Sequence, residues 1–421
     1  MFRRFLTGTL LGAMLVGGWG LYQPGSLVSA KEQPKPNKPA GAVAMRAGID
    51  PKPLTETSLK GLTWLVKHQN PDGGWGQGEE ASSMGQAGGN IAYQSNVADT
   101  SAACLALLRA GNTSAKEESS ESLRKGVAYV CSQIEQADED SIFVTQLKGT
   151  RVQAKLGPTI DTFLANLLLA EAKSQSNQPA EQERISKALT KVLHKIEKNQ
   201  KADGTWTNEG WAPVLAQSVA TKGLNRAAQT GTTVSEVTLS RVDDHAQQSM
   251  NAPAAGAPRG DAGVELYQKS AGYTGVQDSL NTLESREKDL RVKAERGSDQ
   301  EKKDANKQLD RLGKAREAEV SARKTVVGRL QDAQFVSGFG SNGGEEFLSY
   351  MNISESLVVK GGAEWEKWDR SMGENLSRIQ NPDGSWSGHH CITGRTFCTA
   401  SALLVLTADR APVPVAAGLK K

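Results

Sequence analysis

Three stretches of this chain are apolar nearly all round: Asp99 to Leu108, Asp161 to Ala170 and Cys398 to Leu406. A helix with no polar face is a buried one, so these read as inner helices. Three others, Leu59 to Lys67, Ile185 to Lys198 and Met372 to Ile379, are apolar on one side only and read as an outer layer. Each outer stretch runs into the same short phrase. It reads Gln69-Asn70-Pro71-Asp72-Gly73-Gly74-Trp75, then Gln200-Lys201-Ala202-Asp203-Gly204-Thr205-Trp206, then Gln380-Asn381-Pro382-Asp383-Gly384-Ser385-Trp386. A unit repeated in this way predicts stacked helical hairpins rather than one irregular fold.

The phrase is turn chemistry. Pro presets φ, Asp bonds the backbone two residues on, and Gly accepts positive φ after a helix end. The Gln amide can reach orphan carbonyls nearby, and the Trp adds a large apolar wedge with one N–H to satisfy. Gln69, Gly73, Trp75, Gln200, Gly204, Trp206, Gln380, Gly384 and Trp386 are therefore expected to be structural.

The pattern resembles the QW repeat of the terpenoid cyclase and protein prenyltransferase superfamily, whose members fold as α/α toroids. The first copy is the fullest, with Lys60-Gly61, Trp64-Leu65, Gln69 and Gly73-Gly74-Trp75. A unit at Lys125-Gly126 keeps the start and lacks the Trp. The resemblance covers residues 55–231 and 335–410 and implies an all-α toroid of about four hairpins plus an extra one.

Residues 232–334 lack the repeat. An Ala-, Pro- and Gly-rich run at 246–262 reads as a flexible loop. The charged stretch Val276 to Asp332, broken at Gly297-Ser298, reads as a coiled-coil-like helical hairpin inserted into the toroid. Its mixed charges suit a solvated arm, for decoration, partner docking or self-association through 276–332. The ends differ again. Arg3-Arg4, an apolar run from Phe5 to Tyr22 and Val28-Ser29-Ala30 have the order of a secretory signal over 1–30. Export to the periplasm or envelope follows, with an uncleaved membrane anchor as the alternative. Residues 31–54 read as a disordered Pro/Lys linker and 411–421 as a disordered tail.

Composition narrows the function. Hydrophobic residues make up 38%, net charge is +3, and no basic block with aromatics suggests nucleic acid. Eight Trp, six Tyr and eight Phe, several of them held in the turns, are few for the aromatic walls that stabilise carbocations. Cyclases of the squalene-hopene type protonate with an Asp-x-Asp-Asp motif. The acidic groups here, Asp138-Glu139-Asp140 and Asp243-Asp244, lie outside the inner helices. Polycyclisation is accordingly disfavoured.

Other candidates remain. Asp99 and Asp161 open inner helices, either as N-caps or first-turn carboxylates or as a pair facing one central cavity. His389, His390, Cys391 and Cys398 have donors suited to zinc. The resemblance adds that prenyltransferases hold zinc inside the toroid, although their Asp-x-Cys pair is absent. In an oxidising compartment Cys391 and Cys398 would instead form a disulfide. Cys104 and Cys131 sit in apolar stretches and read as core. Glu345 and Glu346 read as caps of a helix after a glycine-rich turn.

The expectation is an exported, non-catalytic toroid that binds a protein or an apolar small molecule, with no cofactor, or zinc if the cluster ligates. The alternatives are an isoprenoid-modifying enzyme using the His389–Cys398 cluster, with Asp99, Asp161 and His390 as candidate catalytic groups, and an oligomerising envelope protein.

Overall fold

The computed structural model describes residues 45–81, 89–111, 116–175, 178–251, 262–340 and 342–414. The expected signal, most of the linker, the loop at 252–261 and the tail from 415 lie outside them. Among the described residues no helix is long and apolar enough to cross a membrane.

Helices dominate, as the periodicity requires. In chain order they are α1 (Glu56–Lys67), α2 (Val97–Ala110), α3 (Lys116–Gln136), α4 (Arg151–Leu156), α5 (Ile160–Ala172), α6 (Pro179–Lys198) and α7 (Pro213–Gln229). There follow α8 (Glu236–Asn251), α9 (Ala262–Arg296), α10 (Asp299–Arg329), α11 (Ala333–Ser337), α12 (Gly344–Val358), α13 (Ala363–Ile379) and α14 (Arg395–Leu406). Every residue of α2, α5 and α12 is buried, while α1, α6 and α13 bury one face.

The buried helices form a ring. α2 packs on α5, α5 on α7, α7 on α9, α9 on α12, α12 on α14, and α14 returns to α2. Outside them α1, α3, α6, α8, α10 and α13 complete six hairpins, so the fold is an all-α toroid.

The repeated turns lock the layers together. Trp75 Nε1 donates to Leu65 O, Trp206 Nε1 to Ile196 O and Trp386 Nε1 to Leu376 O, each satisfying a carbonyl near the end of its own outer helix. Gln69 Nε2 reaches Ser122 O on α3, Gln200 Nε2 reaches Thr238 O on α8, and Gln380 Nε2 reaches Thr57 O on α1. The third turn thus closes the circle onto the first outer helix. Gly61 and Gly126 explain the Lys-Gly start of a unit: each seats the Trp of the preceding unit. A Cβ on Gly61 would lie 2.7 Å from Trp386 Cζ3, and one on Gly126 2.8 Å from Trp75 Cζ3 and closer still to Cys104 Sγ. The start at Lys125-Gly126 receives Trp75, as the start at Lys60-Gly61 receives Trp386.

Three expectations need correction. Residues 232–334 are not an insertion: α9 begins at 262 rather than 276, and its first half is an inner helix. Leu266, Tyr267, Tyr273 and Val276 lie in the main core, while Leu280, Leu283, Leu312 and Ala315 form a separate small cluster. The flexible loop cannot start at 246, because α8 continues to Asn251. The linker and tail are also shorter than expected: Met45–Ala47 (β1) pairs antiparallel with Pro412–Pro414 (β2). A backbone bond from Lys52 N to Asp409 Oδ2 (2.7 Å) fixes the chain beyond the strand.

Candidate functional site

The ring has two chemically distinct ends. Toward the C-terminal ends of the inner helices its centre is filled with charge. Arg109 on α2 forks onto Glu171 on α5 (2.8 and 3.1 Å) and also pairs with Glu355 on α12. Lys222 on α7 bridges Glu355 (2.9 Å) and Asp278 on α9 (3.0 Å), and Arg226 on α7 lies 3.3 Å from Glu171. Three cations thus meet three carboxylates from five inner helices, all buried. Buried charges are tolerated only when paired in this way. The two cations hold Glu355 ionised, at about 2, against the opposing effect of its burial. Asn352 Nδ2 on α12 donates to Ser218 Oγ on α7 (3.1 Å), joining the two helices that flank α9.

Aromatic side chains do not line this centre. Phe163 packs outward on Trp206 (5.0 Å between rings), and Tyr350 outward on Trp368 (5.9 Å). Phe163 and Tyr350 are thus used between layers.

At the opposite end the first turns of the inner helices gather the candidates from distant parts of the sequence. Asp161 Oδ1 accepts from Ala98 N (3.0 Å) at the start of α2, and Oδ2 accepts from Gln153 Nε2 (2.8 Å). Asp99 is not the cap of its helix. That role belongs to Asn96, whose Oδ1 accepts from Asp99 N and whose Nδ2 donates to Asp99 Oδ2, both at 2.8 Å. Burial pushes Asp99 up to about 7, with Asp161 adding repulsion, and burial alone lifts Asp161 to about 6.

Glu345 and Glu346 are not helix caps either, since Gly343 caps α12 without a side-chain bond. Glu345 Oε2 accepts from Ile392 N (3.2 Å), and burial followed by the Glu346 charge raises it to about 7. Glu346 Oε1 accepts from Tyr267 Oη (2.5 Å) and Phe339 N (3.1 Å), and its Oε2 lies 3.4 Å from His390 Nε2. Burial favours the uncharged form of both His390 and Glu346, but their mutual attraction prevails. The histidine is held up and the carboxylate down.

The donors of the His389–Cys398 cluster are not gathered at one point. Cys391 and Cys398 are separate thiols, and Cys398 Sγ donates to Ile392 O (3.3 Å). Among the described residues no three His, Cys, Asp or Glu side chains converge to hold a metal ion. His389 Nδ1 is taken by Asn342 O (2.7 Å) and His390 faces Glu346, so the two imidazoles serve different partners. Burial and Glu345 push Cys391 up to about 11, which keeps it a thiol and a poor nucleophile. Cys391 is the one non-glycine residue among the described residues at positive φ, at 53°. Cys104 and Cys131 are buried core residues. Asp138 accepts from Asp140 N and Ser141 N in a loop, and Asp243 pairs with Arg311 on the outer layer.

The rim of this end is aromatic. Trp211, 56% exposed, lies 6.3 Å from Phe339, which lies 5.8 Å from His390. Sequence reasoning missed this rim, because Trp211 belongs to no repeat. It also missed the role of Glu345 and Glu346, although two adjacent carboxylates opening an apolar helix are a visible signal.

Residues 43–145 match the family model of the squalene-hopene cyclase C-terminal domain. No curated protein matches the chain.

Proposed function

We propose that this toroid, whose residues 43–145 match the squalene-hopene cyclase C-terminal domain model and whose centre is filled with charge, is a non-catalytic binding scaffold exported to the cell envelope. The observation that carries the reading is the network of Arg109, Glu171, Lys222, Arg226, Asp278 and Glu355. A cyclising or prenyl-transferring member needs an apolar chamber where these six side chains meet. Five helices joined by buried ion pairs make a rigid ring, and a rigid ring suits presentation of a surface. The surface presented is the aromatic rim of Trp211, Phe339 and His390, where a protein partner would dock; exposed aromatics with polar tips are the usual anchors of such contacts. The leader over 1–30 supports export.

The test has two arms. Incubation with farnesyl diphosphate or squalene, followed by product analysis, is expected to show no conversion. A photo-crosslinking residue placed at Trp211 in cells is expected to give a discrete adduct in the envelope fraction, whereas one at exposed Val292 on the α9–α10 hairpin gives none. A cyclised or prenylated product would overturn the reading and direct attention to the raised carboxyls of Asp99 and Glu345 as proton donors.

A further inference from the structure

A cleft lies on the outer layer beside the Asp161 end of the ring, where Leu147 O accepts from Gln153 Nε2 (3.0 Å). It has a volume of about 510 Å³ and is formed by the first repeat turn, the C-terminal half of α3 and the loop leading to α4. Clefts of about 300–1,000 Å³ are the usual size for small ligands. Its lining is unusual in composition: Gln94, Gln133, Gln136 and Gln146 contribute four amides, with Tyr129 and Asp72 beside them and no Lys, Arg or His.

Gln94, Gln136 and Gln146 are exposed and Gln133 is half-buried, whereas several other glutamines of the fold are committed. Gln69, Gln200 and Gln380 staple turns to helices, Gln153 holds Asp161, and Gln229 Nε2 binds Thr282 (2.9 Å). The side chains of Gln94, Gln133, Gln136 and Gln146 form no hydrogen bond with any described residue, although all four border one cleft. The other polar groups are already committed. Asp72 Oδ1 accepts from Gly74 N (3.0 Å) and Ser95 Oγ (2.7 Å), and Tyr129 Oη donates to Ser95 O (2.8 Å). The walls are therefore held in place by one set of groups while another set is left to a ligand.

Each amide offers two donors and an acceptor without charge. Such groups pair with hydroxyls, which also donate and accept. A cleft without a cation has nothing to offset the desolvation of a phosphate, sulfate or carboxylate, and Asp72 repels them. The ring of Tyr129 supplies an apolar edge for C–H groups. We infer that this cleft binds a neutral, hydroxyl-rich ligand, an oligosaccharide.

Calorimetric titration of the full chain with chitotetraose, maltopentaose and cellopentaose tests this, with tetragalacturonate as the anionic counterpart. At least one neutral sugar should bind, and tetragalacturonate at least about tenfold more weakly, a difference of about 1.4 kcal/mol. Gln133→Ala combined with Gln146→Ala should weaken the neutral sugar by about tenfold or more. Gln300→Ala, on the distant helix α10, should leave it unchanged. Gln146 is exposed, so Gln146→Ala alone keeps the comparison valid if the double variant fails to fold. Binding to none of the neutral sugars, equal binding of tetragalacturonate, or full affinity in a folded Gln146→Ala protein would overturn the assignment.

Discussion

Asp99 and Glu345 show how single residues set the response of this fold to pH. Both are fully buried carboxyls lifted to about 7, far above their ordinary range. A carboxyl raised in the folded state binds its proton more tightly there than in the unfolded chain. Its contribution is fully present below the unfolded value of 3.8 for Asp99 and is lost as pH rises through about 7. Thermal stability attributable to these groups therefore falls between pH 5 and 8. Asp99→Asn, which stays neutral and keeps a carbonyl for Asn96 Nδ2, is expected to flatten that slope and to melt no lower than the parent at pH 8. Melting curves from pH 5 to 8 check this, and a variant with the parent's slope would show that Asp99 is ionised throughout. Glu355 behaves oppositely: held at about 2, its contribution is lost only as pH falls toward that value. At this scale the sequence was legible where one residue repeated, as with Trp75, Trp206 and Trp386. It was illegible where a side chain's role depends on a neighbour far along the chain, as with Glu346 and Tyr267.

Among elements, α9 is the instructive case. Its outward polarity suggested a solvated arm, yet Ser270, Thr274, Gln277, Asp278, Asn281, Thr282 and Ser285 are all buried. Thr274, Asp278 and Thr282 meet the equally polar side of α7, where Thr282 Oγ1 donates to Asn225 Oδ1 (2.7 Å) and Lys222 Nζ to Thr274 Oγ1 (3.0 Å). A helix that buries polar groups against polar groups carries no apolar signature, so periodicity alone could not place it in the ring. The six-hairpin count was missed for the same reason, although the toroid itself was legible from three turns. The two halves of α9 should separate experimentally. Replacing residues 290–307 by a short Gly-Ser loop trims the outer part of the hairpin and should leave a cooperative fold, with a melting point lowered by only a few degrees. Deleting 262–332 removes an inner helix and should give insoluble or molten protein by circular dichroism and solubility. Equal behaviour of the two deletions would contradict the placement of α9 in the ring.

For the whole molecule, the charge network decides what the toroid can be. Arg109 neutralises Glu171 and Glu355 at once, and both carboxylates are buried. Arg109→Met keeps the volume and removes the charge, leaving two carboxylates with fewer partners, so a loss of about 3–5 kcal/mol is expected. Urea unfolding measures it. A loss below about 1 kcal/mol would mean that water already reaches the centre, and the scaffold reading would lose its main support.

The pairing of β1 with β2 has a topological consequence. Met45 lies opposite Pro414 in an antiparallel register, so the two ends of the described chain emerge side by side. The third Trp turn already docks on the first outer helix, as every other turn docks on its successor. Six hairpins arranged in this way have a cyclic order but no privileged first member. Such a molecule is suited to circular permutation: the ends could be fused across the strand pair and the chain reopened at Gly297-Ser298, at the tip of a hairpin, without cutting any contact that closes the ring.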